Sequence, residues 1–157
     1  NTTRLWSFEK LRLKRNTSRS EHVNSLGFYS LNGKSVYHDT ETAKKKDIAR
    51  FLRAIRQGNP VGTIVLVWDN ARAHLSKLVR RTAYRLDIVL VFLPPYSPDL
   101  NPIEFIWKSI KKELSSRIYM TKEEVRDAVE EMFYRFASSL SFAGSWIQKF
   151  FKPIISS

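Results

Sequence analysis

Thr63-Ile64-Val65-Leu66-Val67-Trp68 is an unbroken run of strand-forming residues that ends on a carboxylate, Asp69. A strand with one wet face alternates apolar and polar residues, whereas a continuous run reads as a strand covered on both faces. A helical stretch over 75–86 follows, with Leu75, Leu78, Val79 and Ala83 as its inward side. Residues 88–93 then repeat the apolar run and read as a second buried strand. Strand, helix and strand at this spacing form a βαβ unit with parallel pairing, which sets the class as α/β. In such sheets, sites form beyond the carboxyl ends of the strands, where Asp69 stands. Capping the next helix is the competing role for an acid there.

Upstream, residues 41–57 read as an amphipathic helix. Ile48, Phe51, Leu52 and Ile55 recur at helical spacing, Thr40 or Thr42 suits the cap, and Gly58-Asn59-Pro60 stops it. Lys44, Lys45, Lys46, Arg50 and Arg53 line its remaining surface, and Asp39 and Asp47 read as solvated. Residues 22–31 and 34–38 read as two strands joined at Asn32-Gly33, a hairpin-turn dipeptide. Residues 3–13 read as a short strand with charged interruptions, and 14–21 as a basic loop.

Downstream, Pro94-Pro95-Tyr96-Ser97-Pro98 is a stiff linker into a helix over 103–117. Ile103, Ile106, Trp107, Ile110 and Leu114 make its core stripe, while Glu104, Lys108, Lys111 and Lys112 lie along the edge. Asn101 suits the N-cap, Pro102 the first turn, and Glu104 the acidic position of a capping box. A carboxylate trailed by lysines also suits a metal ligand beside a phosphate track; the plainer alternative is a surface Glu–Lys pair worth ~0.3–0.5 kcal/mol. Thr121 caps a further helix to about residue 137, with Glu124 in the box position. Phe142, Trp146 and Phe150 recur in an aromatic tail.

The chain has 27 Lys and Arg against 15 Asp and Glu, a net charge of +12, which points to a polyanionic partner. Its 157 residues suit one domain. The absence of cysteine excludes disulfides, zinc fingers, iron–sulfur centres and thiol catalysis, and suits an intracellular setting. No stretch approaches the ~18 apolar residues of a membrane span. The opening Asn1-Thr2-Thr3-Arg4-Leu5-Trp6 is neither a signal peptide nor an initiator methionine, and reads as an excised segment. His74 has no second histidine at metal-ligand spacing, which argues against zinc; it suits a phosphate contact, an orienting role or a plain surface position.

Two segments, Asp69-Asn70-Ala71-Arg72-Ala73-His74 and Leu93-Pro94-Pro95-Tyr96-Ser97-Pro98-Asp99-Leu100-Asn101-Pro102-Ile103-Glu104, resemble the DDE transposases of the mariner superfamily and related insertion-sequence enzymes. Trp107 and Lys111 extend the likeness, as do the 34 residues separating the two acids. Weaker similarity reaches Trp6, Val23-Asn24-Ser25-Leu26-Gly27 and, forward, about Glu131. The resemblance implies a ribonuclease H-like mixed sheet flanked by helices that cuts and joins DNA at transposon ends. Asp69 and Glu104 would be its second and third catalytic acids and metal ligands. Two Mg²⁺ or Mn²⁺ ions ~3.5–4 Å apart would activate water or a 3′-hydroxyl and stabilise the leaving oxygen. DNA contacts are implied at Asn70, Arg72, His74, Tyr96, Ser97, Lys108, Lys111 and Lys112.

The family's first Asp sits on the first, central strand, which the resemblance places ahead of Asn1. The expectation is therefore a single, partial catalytic domain over 1–157 without that strand, with a helical extension over about 121–157. Glu9 is the alternative first acid. Such a chain would be nearly inactive alone and would self-associate, as a dimer, across its open strand edges. Two other functions stay open: a non-catalytic, basic nucleic-acid-binding remnant, and another ribonuclease H-like nuclease.

Overall fold

Five strands form one mixed sheet in the order β3-β2-β1-β4-β5: β1 (Thr2–Arg12), β2 (His22–Tyr29), β3 (Val36–Thr40), β4 (Ile64–Trp68) and β5 (Ile88–Phe92). The computed structural model describes residues 2–12, 22–119 and 121–150. β1 holds the centre, antiparallel to β2 with Leu5 opposite Tyr29, and parallel to β4 with Leu5 opposite Val67. The expectation that the central strand falls outside this chain is thus corrected. Both flanking strands carry N–H and C=O groups that need partners, and residues 2–12 supply them. That demand overrides the charged interruptions at Arg4, Glu9 and Lys10.

The parallel β4–β5 ladder pairs Ile64 with Ile88 through Trp68 with Phe92, as the apolar runs predict. β5 is not buried on both faces, however: Val89 and Val91 are 49% and 42% exposed. As the last strand of the sheet it receives cover only on the side of Ile88, Leu90 and Phe92.

Helices form a layer on each face. On one, α1 (Lys45–Gly58) and α2 (Lys77–Arg85) bury Phe51, Leu52, Ile55, Val79 and Ala83 against Leu26, Phe28, Ile64, Leu66 and Trp68. On the other, α3 (Ile103–Ser115) and α4 (Lys122–Ala137) pack Ile106, Trp107, Ile110, Val129 and Phe133 against Val23, Tyr29 and Tyr37. The expected core stripe of α3 is buried throughout. α5 (Gly144–Phe150) follows a 3₁₀ turn at Leu140–Ala143, and the Tyr29 hydroxyl ties that segment down by donating to the Ser139 carbonyl at 2.5 Å. Phe142 packs edge-on to Phe136 at 5.6 Å; the side chain of Phe150 lies outside the described residues. No helix among the described residues is long and apolar enough to cross a membrane.

Local chemistry moves several boundaries. α1 starts after Lys44, not at 41, because Asp47 accepts the Lys44 N–H at 3.1 Å and the Thr42 hydroxyl. Asp47 is therefore a cap rather than a solvated charge, and Asp39 pairs with Arg126 at 3.0 Å. Asn32-Gly33 lies in a longer loop, since β3 begins only at Val36. Asn59 clamps that loop: its Oδ1 accepts the Lys34 N–H at 2.8 Å and its Nδ2 donates to the Lys34 carbonyl at 2.9 Å. α2 begins after Ser76, whose Oγ accepts the Val79 N–H, so Leu75 precedes the helix and Leu78 turns outward while Thr82 is buried. The Thr121–Glu124 capping box of α4 forms as expected.

Gly27 of β2 lets α3 and α4 seat on the sheet. A methyl added there would meet Trp107 Cζ2 at 2.5 Å and Phe133 Cε2 at 2.8 Å, while nothing lies within 4 Å at Gly144. Gly27→Ala is expected to cost about 1–3 kcal/mol through overpacking. Gly144→Ala should be neutral or stabilising by up to about 1 kcal/mol. Urea unfolding of both variants checks the contrast.

Candidate functional site

The carboxyl end of β4 is built around a flat stack. The His74 ring lies on the Trp68 indole with centroids 4.2 Å apart and planes 2° from parallel. His74 is 1% exposed, and its Nδ1 lies 2.8 Å from Asp69 Oδ1, which also accepts the Ala71 N–H at 2.9 Å. His74 thus cannot meet DNA as expected, because the stack buries it. It orients Asp69, whose side chain stays 48% exposed. Partial burial pushes the Asp69 carboxyl up, but the hydrogen bonds from His74 and Ala71 outweigh it and hold the group below its ordinary 3.8.

The facing wall comes from the segment after β5. Leu93 donates its N–H to the Trp68 carbonyl at 2.7 Å, and the Asn70 amide donates to the Leu93 carbonyl, so the exits of β4 and β5 are tied together. Tyr96 then adopts φ 57°, a left-handed conformation that costs a non-glycine residue roughly 1–2 kcal/mol, and its side chain is fully exposed. A 3₁₀ turn, Pro98–Leu100, delivers the chain to α3.

Glu104 is the second residue of α3. Pro102 occupies the N-cap and no side-chain cap hydrogen bond forms, so the capping-box reading of Glu104 is corrected: the helix starts one residue later than that box requires. Trp146 of α5 donates its indole N–H to the Leu100 carbonyl at 2.7 Å, bracing this approach from the far end of the chain. Sequence reasoning did not find this role; its trace is the aromatic repeat of the tail.

Asp69 and Glu104 line one cleft of about 420 Å³ together with Asn70, Tyr96 and Ser97. Lys108 lines a neighbouring cleft of about 470 Å³ with Phe105, Trp146 and Lys149. Arg72, Lys111 and Lys112 are exposed and line neither. Although Lys111 is exposed on the whole, desolvation on its protein-facing side lowers the pKa of its ammonium.

The two carboxylates are hard oxygen donors, and Mg²⁺ commonly binds through one or two carboxylates completed by water and phosphate. Among the described residues no three His, Cys, Asp or Glu side chains cluster as metal ligands. Asp69 and Glu104 thus supply two hard oxygen donors on the lining of one cleft. Glu9 does not stand level with Asp69: the β1–β4 ladder ends at Leu5 opposite Val67, which puts Glu9 two residues, about 7 Å, farther along.

Because its folded value is depressed, Asp69 contributes stability that is present above its unfolded value near 3.8 and lost as pH falls through the lower folded value. Asp69→Asn lacks this contribution. The stability difference between wild type and Asp69→Asn should hold at neutral pH and change only in that acid window, as urea unfolding across pH will show.

A family model described as DDE superfamily endonuclease matches residues 3–126. Over 90 residues the chain is 33% identical to the uncharacterized protein y4pE/y4sA of Sinorhizobium fredii (strain NBRC 101917 / NGR234), a match covering 57% of this chain. The chain spans 62% of that relative's length. The catalytic domain of Mos1 mariner transposase superposes with a TM-score of 0.71 at 20% identity, over 91% of this chain and 74% of that one. The same domain solved with Mn also gives 0.71 at 20% identity, over 91% and 75% of the two chains. A Mos1 transposase paired-end complex with the left transposon end gives 0.69 at 23% identity, over 87% and 43%.

Proposed function

The chain belongs to the DDE superfamily of endonucleases, and from that premise we propose that its cleft is a divalent-metal site for cutting DNA strands and joining them at transposon ends. One observation carries this reading: Asp69, from the tip of β4, and Glu104, from the first turn of α3, line the same cleft. Asp69 and Glu104 would hold Mg²⁺ or Mn²⁺, which when bound activates the attacking oxygen and stabilises the leaving one. The chain's own residues do the rest. His74 fixes the orientation of Asp69 and keeps its carboxylate ionised. Asn70 ties the two walls of the cleft, and Tyr96 and Ser97 form the rim on which a DNA strand lies. Tyr96, exposed in a strained conformation, offers a ring for a base to stack on. Arg72, Lys111 and Lys112 serve as phosphate contacts outside the cleft.

With two carboxylates lining the cleft among the described residues, cleavage by this stretch of chain alone is expected to be weak. Duplex DNA is the partner that the cleft and the +12 charge favour. The ground for a dimer, an open central strand, does not hold in this fold; self-association rests instead on the exposed Val89 and Val91 of the β5 edge.

The metal reading is tested without turnover. At Mn²⁺ a hundredfold above its dissociation constant, stabilisation is about 2.7 kcal/mol, or a rise of roughly 5–10 °C in the thermal midpoint. Wild type should show this rise, and Asp69→Asn and Glu104→Gln should not. Equal shifts in all three proteins would remove the cleft as the metal site. An unshifted wild type would leave the basic, non-catalytic binder as the better reading.

A further inference from the structure

Positive charge is concentrated on one helical layer, while α3 and α4 together are close to neutral. α1 holds five cations against Asp47 alone and α2 four cations with no acid, whereas α4 holds three cations against five acids. Acids are consumed on the α3/α4 side, where Arg126 meets Asp39 at 3.0 Å and Arg135 meets Glu113 at 2.6 Å. On the other side, Arg50 reaches Asp47 at 3.7 Å. Lys45, Lys46, Arg53, Lys77, Arg81 and Arg85 are exposed there with no acidic partner among the described residues.

We propose that the outer surface of α1 and α2 is a second DNA site, a track for the phosphate backbone of duplex DNA distinct from the cleft. Topology sets its direction. β3, β1 and β4 all run the same way, so α1, which follows β3, and α2, which follows β4, both leave from the carboxyl ends of these strands, the end of the sheet that carries Asp69, and run back from it. The 14 residues of α1 extend about 21 Å, a length along which a duplex presents about a dozen phosphate charges. α2 packs beside α1 and adds a second row of cations about 10 Å away. The outward positions of α1 are Lys45, Lys46, Arg50, Arg53 and Gln57, with no apolar residue among them; on α2 Leu78 and Tyr84 are exposed between the cations, two side chains rather than the continuous apolar face of a lipid-seated helix. The track rests on the proposed function only for duplex DNA being the polyanion at hand. The binding itself needs no metal.

The test uses the whole chain, a fluorescent duplex of arbitrary sequence, EDTA throughout and a series of salt concentrations. A Lys46→Gln/Arg53→Gln/Arg81→Gln/Arg85→Gln variant removes four exposed cations, none of them lining the cleft. Each lost phosphate contact lowers the log affinity–log salt slope by about 0.9, so a drop of about 3–4 is expected, with at least a tenfold loss of affinity at low salt. An unchanged slope in the fourfold variant, at a near-native thermal midpoint, overturns the track. So does an equal loss per charge in Lys122→Gln/Arg117→Gln, which would reduce the effect to net charge. Failure of the Mn²⁺ test with this result intact would sink the catalytic reading and leave the track standing.

Discussion

A parallel strand clad by helices on one face and by a neighbouring layer on the other can be polar only where it ends. β4 is such a strand: Ile64, Leu66 and Trp68 are sealed from solvent. Its first tolerable charge is Asp69, at the carboxyl tip. The position of the cleft follows from that constraint. So does the stack beneath it, since a buried indole next to a carboxylate needs a neighbour both flat and able to donate a hydrogen bond. Histidine is both, and His74 lies on Trp68 while bonding Asp69.

β1 converts this local arrangement into a fold. It joins an antiparallel hairpin to a parallel βαβ unit, and each of those alone would present an unpaired edge. With β1 between them the sheet separates two cores, one beneath α1 and α2 and the other beneath α3 and α4. Gly27 sets how closely the second layer approaches, and Trp107 fills the space that the missing side chain leaves. Glu104 rides on the same helix as Trp107, so the packing that seats α3 also carries the second acid to the cleft.

Much of this was legible in the sequence because burial imposes a period. The Thr63–Trp68 run, the α3 stripe from Ile103 to Leu114 and the Thr121–Glu124 box all emerged where their patterns stood. Both acids proved to be cleft residues, the part of the site that motif spacing encodes. What escaped depends on contacts between distant segments. Nothing local to residues 2–12 says that two other strands will demand hydrogen bonds from them. His74 suited a phosphate contact, an orienting role or a surface position, and nothing in its own neighbours' hydropathy announces the burial that Trp68 and the turn at Ala71 create. Asp47 as a cap and Val89 and Val91 as half-exposed edge residues likewise depend on where a helix starts and where a sheet stops.

The indole bond from Trp146 to the Leu100 carbonyl joins one of the last elements of the chain to the segment that presents Glu104. During synthesis the β4 tip and the first turn of α3 leave the ribosome before that brace exists. Until α5 has emerged and packed, the approach to α3 is held by the sheet and its own turn alone, and the geometry of that wall is completed from a segment more than forty residues farther along the chain.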